Sequence, residues 1–265
     1  MIKVNEIIQA IESFAPPELA ENWDNVGLLV GDGEQTVERV FLCLDATSEV
    51  VKEAVAFGAN MIISHHPLFI SPVPRIIEQD VTGRIIRALA RNDISLYAAH
   101  TNFDSAPGGL CEILTQKLEL RNSRKFTAEE CLDEFGKPTM NFGHVSSCAP
   151  TTLAELTKFV QAKLNTVGIR YVGDPNRKIE TVATCCGGGS DMLFAAYRAE
   201  ADVLVTGDVK YHGAQLATEF GVAMIDAGHF ETEVMFCEFM REFLGKKFPA
   251  LEIENSNTRG FFNIC

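Results

Sequence analysis

Arg39-Val40-Phe41-Leu42-Cys43-Leu44, followed one helix-length later by Met61-Ile62-Ile63-Ser64 and then by His65-His66-Pro67, is the stretch on which the fold turns. Both apolar runs are nearly uninterrupted, the pattern of strands buried on two faces. Between them Thr47 and Ser48 stand as helix caps, and Val50, Val51, Ala54 and Val55 supply an apolar face. Gly58 is placed to end that helix. The same rhythm predicts a helix over 82–91, a strand over 94–99 and a helix starting near Pro107. Such a βαβαβα series predicts a parallel sheet with helices on its faces.

A second series follows the same rhythm. Strands are predicted over 179–184, 203–206 and 222–226, with helices over 191–199, near 212–220 and from His229 onward. Between the two series lie a predicted strand over 139–147, a helix over 151–164 and a strand over 167–172. The polar region 121–137 is the candidate crossover. The expected fold class is therefore α/β in two lobes, each a mostly parallel or mixed sheet flanked by helices. One lobe spans 1–125 plus 222–265 and the other 126–221.

Composition narrows the function. The 265 residues are 46% apolar, enough for a sizeable core, and the net charge is −13 with 36 acidic against 23 basic side chains. So acidic a surface repels polyanions, which argues against broad nucleic-acid binding. No apolar run has the length of a membrane span. The opening residues carry an early acid and no apolar block, so export is not expected. Eight cysteines without a Cys-x-x-Cys pair read as reduced, buried thiols in the cytoplasm.

The histidines carry the chemistry. There are only six, and four follow a predicted buried strand, where ligands bind in open α/β sheets. Pro67 biases His66 away from helix and ends the strand, letting the rings of His65 and His66 turn toward one site. The competing reading of the pair is one ring packed and the other solvated. His100 opens the next exit, followed by Asp104, for which helix capping competes with metal ligation. His100 itself suits a supporting place behind a ligand as well as direct ligation. The last exit holds His229 and Glu233, four apart on a predicted helix and so on one face.

These five residues, His65, His66, Asp104, His229 and Glu233, are three imidazoles and two carboxylates. They suffice for two divalent ions if the carboxylates bridge, and the donor set suits zinc, iron, manganese or cobalt. Such a pair acidifies a bound water and polarises the bond under attack. Asp208 and His212, at a further strand exit, read either as a proton shuttle or as a helix cap and a surface histidine. The turn Gly187-Gly188-Gly189 joins a strand to a helix and reads either as a phosphate cradle or as close packing. It fits neither the P-loop nor the dinucleotide fingerprint. His144 reads as structural.

Five motifs lie in order along nearly the whole chain. They are Asn22-Trp23-Asp24-Asn25-Val26-Gly27-Leu28, His65-His66-Pro67, His100-Thr101-Asn102-Phe103-Asp104, Thr206-Gly207-Asp208, and Gly228-His229-Phe230-Glu231-Thr232-Glu233. In this the chain resembles the Nif-three-like (NGG-one-interacting-factor-like) dinuclear-metal family, also called GTP cyclohydrolase I type 2 homologues. The resemblance implies a homohexameric ring with two metals in a cleft between lobes, bound by the same five residues. It implies Trp23 and Asp24 near the site on the substrate side, with Asp208, His212 and His100 as the catalytic candidates. The implied activity is hydrolytic opening of a purine ring with release of formate from a small-molecule, nucleotide substrate. A phosphoesterase or amidohydrolase is the alternative enzyme, and a metal-handling or partner-binding protein the alternative of another class. The chain departs from the family pattern at Asp208, commonly glutamate, and at Phe230, often tyrosine.

Overall fold

Val40, Phe41 and Leu42 sit inside a sheet because both of their faces are covered, as their uninterrupted apolar sequence requires. The computed structural model describes residues 1–133 and 135–262. Its contacts divide the chain into two units, Met1–Pro107 with Phe236–Arg259, and Gly108–Met235 with the chain from Gly260 onward.

In the first unit, strands Arg39–Cys43, Met61–Ser64 and Ser95–Ala98 are parallel neighbours, with Val40 opposite Met61 and Met61 opposite Ser95. Glu252–Asn255 adds a parallel strand beyond Arg39–Cys43, and Gly27–Val30 closes the other edge antiparallel to Ser95–Ala98. The helix Ser48–Phe57 starts where the Thr47 hydroxyl accepts the Val50 N–H, and it stops at Gly58, whose φ of 78° suits glycine. Its Val50, Val51 and Ala54, with Ile85 and Leu89 of helix Val81–Arg91, bury Phe41, Ile62 and Leu96 of the sheet. Each such apolar side chain contributes roughly 1.5–3 kcal/mol by leaving water. Ile62→Ala, which would empty the middle of this layer, is expected to cost about 2–5 kcal/mol.

In the second unit, Lys178–Thr184, Val203–Thr206 and Ala223–Asp226 are the parallel centre of a six-stranded sheet. His144–Thr152 and Arg121–Lys125 extend it antiparallel on one side, and Arg170–Val172 on the other. Helix Leu153–Leu164 opens with a reciprocal cap between Thr152 and Glu155 and ends at Asn165 in the left-handed region. Helix Tyr211–Phe220 ends at Gly221, φ 67°.

The architecture is mixed α/β with sheets flanked by helices, as the periodicity predicts. The division differs from the expected 1–125 plus 222–265 against 126–221. Arg121–Lys125 pairs with His144–Thr152, and Ala223–Asp226 lies between Val203–Thr206 and Arg170–Val172. Backbone hydrogen bonding thus ties both segments to the second sheet, and His229 and Glu233 go with them. The strand expected over 139–147 is His144–Thr152, and the one expected over 167–172 shortens to Arg170–Val172. The helix expected near Pro107 is two, Thr101–Ser105 and Leu110–Lys117. Among the described residues no helix is long and apolar enough to cross a membrane.

Candidate metal centre

The three parallel strands of the first unit end side by side at Cys43, Ser64 and Ala98. Just beyond these ends stand Asp45, the pair His65 and His66, and His100. Loops at the carboxyl ends of neighbouring parallel strands converge, so residues distant in sequence meet. The rings of His65 and His66 are 5.0 Å apart, and that of His100 lies 5.2 and 5.4 Å from them. Each of the three offers a ring nitrogen within 4.8 Å of the others, a group able to hold a metal ion. Asp24 reaches the same end from the antiparallel edge strand, whose Gly27 lies opposite Ala98.

Every ring is oriented by an oxygen. His65 donates Nδ1–H to the Ala99 carbonyl at 2.8 Å, His66 to Asp45 at 2.8 Å, and His100 to Asp24 at 2.9 Å. A carbonyl or carboxylate can only accept, so the partners assign the proton to Nδ1 and the lone pair to Nε2. This is the outer arrangement that orients metal-ligating histidines. Asp104, buried in the short helix Thr101–Ser105, has its Oδ1 3.6 Å from His65 Nε2. The Asp24 side chain is shielded from solvent. Burial alone would raise its pKa, but hydrogen bonds from His100, the Thr101 hydroxyl and the Asn25 N–H hold it at about 2. Trp23 is 49% exposed and meets His100 edge-on at 5.9 Å.

The second unit repeats the scheme at the exits of its own parallel strands. His229 starts the helix His229–Glu233 after Gly228, whose φ of 92° makes the turn. It donates Nδ1–H to Asp208 at 2.7 Å, which leaves Nε2 3.1 Å from Glu233 Oε2. A lone-pair nitrogen that close to a carboxylate oxygen calls for a cation or a proton between them. Glu233 is almost wholly buried, and the glycine turn is pressed against it. A Cβ on Gly187, at φ 59°, would stand 2.1 Å from Glu233 Oε1 and 3.2 Å from His229 Nε2. The Gly187 N–H is taken by the Thr232 hydroxyl and the Gly189 N–H by the Thr206 hydroxyl. Those two donors are spent on packing, so the turn has the geometry of a close approach to the carboxylate, with Gly188 beside Asp208 and His229. His212 is exposed and pairs with Gln215 at 3.4 Å, outside this group. Asp208 adopts φ 53° and caps no helix; Lys210 stands at the start of Tyr211–Phe220.

His65, His66, His100 and Asp104 therefore gather in the first unit with Asp24 and Trp23, and His229, Glu233 and Asp208 in the second with the glycine turn. Imidazole Nε2 atoms beside carboxylates, that of His65 buried, fit a divalent ion of the borderline class, and the absent Cβ at Gly187 gives the Glu233 carboxylate room. Sequence reasoning passed over Asp45. The signal was available, since Asp45 follows the first buried strand just as the histidines follow the others.

The Duf34/NIF3 (NGG1p interacting factor 3) family model matches residues 2–259. A Clostridium perfringens protein named GTP cyclohydrolase 1 type 2 homolog is 38% identical over 232 residues, covering 88% of this chain and 87% of its own. The crystal structure of a Bacillus cereus protein related to NIF3 superposes with a TM-score of 0.88 at 26% identity, covering 100% of this chain and 99% of the other. That of Staphylococcus aureus protein SA1388 gives 0.86 at 29% identity, with coverage of 100% and 99%. The motif order, the fold and these likenesses agree: the chain belongs to the Duf34/NIF3 family.

Proposed function

We propose that the chain is a metal-dependent hydrolase that holds two divalent ions through His65, His66, Asp104, His229 and Glu233. The observation that carries this reading is the common orientation of His65, His66 and His229, each of which commits Nδ1–H to an oxygen and presents Nε2. Five ligands over two ions leave positions open, whereas a structural zinc is saturated by four.

When bound, the ions supply Lewis acidity and acidify water. The chain's own residues do the rest. Asp24 fixes the ring of His100 so that Nε2 can hold or pass a proton, and Asp208 does the same service for the orientation of His229. The exposed indole of Trp23, beside His100, offers a face for a planar aromatic base. That pairing suits a small-molecule, nucleotide-sized substrate. The name of the Clostridium perfringens relative, GTP cyclohydrolase 1 type 2 homolog, supports purine ring opening as the reaction, in which water would add at C8 of the guanine and formate would leave. The family resemblance also supports action as a homohexamer.

The test is turnover. Chain loaded separately with zinc, manganese, iron or cobalt is incubated with GTP and with a generic phosphoester, and formate and phosphate are assayed. Formate release from GTP that is lost in His65→Ala supports the reading. Phosphate release alone would move the activity to a phosphoesterase. No product with any ion, together with rapid transfer of the metal to an acceptor, would replace catalysis by metal handling.

A further inference from the structure

The second unit contains a pair of thiols that the metal chemistry does not use. Cys111 lies in the first turn of helix Leu110–Lys117, and Cys186 follows the strand Lys178–Thr184. Their sulfurs are 3.0 Å apart, and the Cys186 N–H donates to Cys111 Sγ at 3.4 Å. Both are buried, at 0% and 2% exposure. Thiols that merely fill a core have no need of so close an approach.

We infer that Cys111 and Cys186 are a redox-modification site, closing to a reversible disulfide when the protein meets hydrogen peroxide. The chemistry balances without another partner. The Cys111 thiolate sulfur attacks one peroxide oxygen; the O–O bond breaks and the leaving hydroxide takes a proton to become water. The Cys186 sulfur then attacks the sulfenic sulfur, forming S–S and breaking S–O, and the second hydroxide leaves as water with the Cys186 proton. The two thiols lose two electrons and the peroxide gains them. The sulfurs must close by about 1 Å to reach a disulfide length of roughly 2.05 Å.

The surroundings favour Cys111 as the attacking group. Burial opposes its ionisation, but hydrogen bonds from the Cys185 and Cys186 thiols and the Cys186 N–H hold its pKa well below the ordinary thiol range. Helix N-terminal placement acts in the same direction. In a reducing compartment a pair of this kind is a transient sensor and not a permanent staple.

The test uses the full chain, metal-free and metal-loaded in parallel, so that its result does not depend on the metal reading. Protein treated with hydrogen peroxide is alkylated, digested with trypsin without reductant and analysed by mass spectrometry. The expected product joins the peptides 92–117 and 179–198, lacks two hydrogens, and separates on addition of dithiothreitol. Fragmentation of that product in the unaltered sequence assigns the second sulfur to Cys186. Cys185→Ser keeps the link and Cys186→Ser abolishes it. Absence of the link at a peroxide concentration that oxidises the half-exposed Cys148 would overturn the inference, as would a link assigned to Cys185.

Discussion

His66 gives its Nδ1 proton to Asp45 across 2.8 Å, although the two belong to the exits of different strands, 21 residues apart. Asp45 ligates nothing in the proposed site, yet it decides which nitrogen of His66 carries the lone pair. Removing such an oriented partner lowers metal affinity roughly tenfold to a hundredfold. Asp45→Ala is therefore expected to weaken binding by that amount in a chelator competition titration. Asp45→Asn, whose amide oxygen still accepts, should fall between. Unchanged affinity in Asp45→Ala would remove Asp45 from the site.

Gly187 tests the second unit. Its φ of 59° and the 2.1 Å approach of a built Cβ to Glu233 Oε1 leave no room for a side chain. Gly187→Ala should lower stability by about 1–3 kcal/mol, the scale of a strained backbone residue. It should also reduce bound metal by displacing the carboxylate. Chemical denaturation and elemental analysis read the two effects separately.

Asp24 gives the pH dependence. Its folded pKa of about 2 lies below the ordinary 3.8, so the folded state favours the carboxylate. The stability this contributes is present above about pH 4 and is lost as pH falls toward 2. The gap in unfolding midpoint between the natural chain and Asp24→Asn should be widest near neutrality and close through that window. A gap constant from pH 7 to 2 would contradict the assignment.

Phe236 is wholly buried and packs against both His65 and Phe103. Phe236→Ala is expected to cost about 3–5 kcal/mol through lost burial and the cavity left behind. Thermal or urea unfolding measures that loss. Phe236→Leu should recover most of it.

Much of this was legible before any coordinates. Met61–Ser64 and Val203–Thr206 are short, apolar and bounded by polar exits, and both form with the predicted ends. His229 and Glu233 share a helix as their spacing of four requires. What escaped the reading depended on long-range pairing. Gly27–Val30 is only four residues, opened by one glycine and followed by another, and becomes a strand by pairing with Ser95–Ala98. His144–Thr152 runs through Pro150 because the proline falls where the register shifts between Ile179 and Thr181. Asp45 looks like an ordinary loop acid until the sheet brings it to His66, and the pairing of Asp24 with His100 likewise depends on the sheet. The helix cap considered for Asp208 gives way to its bond with His229 for the same reason.

The central claim is that His65, His66, Asp104, His229 and Glu233 act together on two ions. It is tested most directly by elemental analysis of protein loaded with manganese or zinc and then dialysed, for the natural chain and for His65→Ala and Glu233→Ala, with circular dichroism confirming the fold of each. The account predicts two ions per natural chain and fewer in either variant, although one residue comes from each unit. A full complement retained in both variants would contradict it.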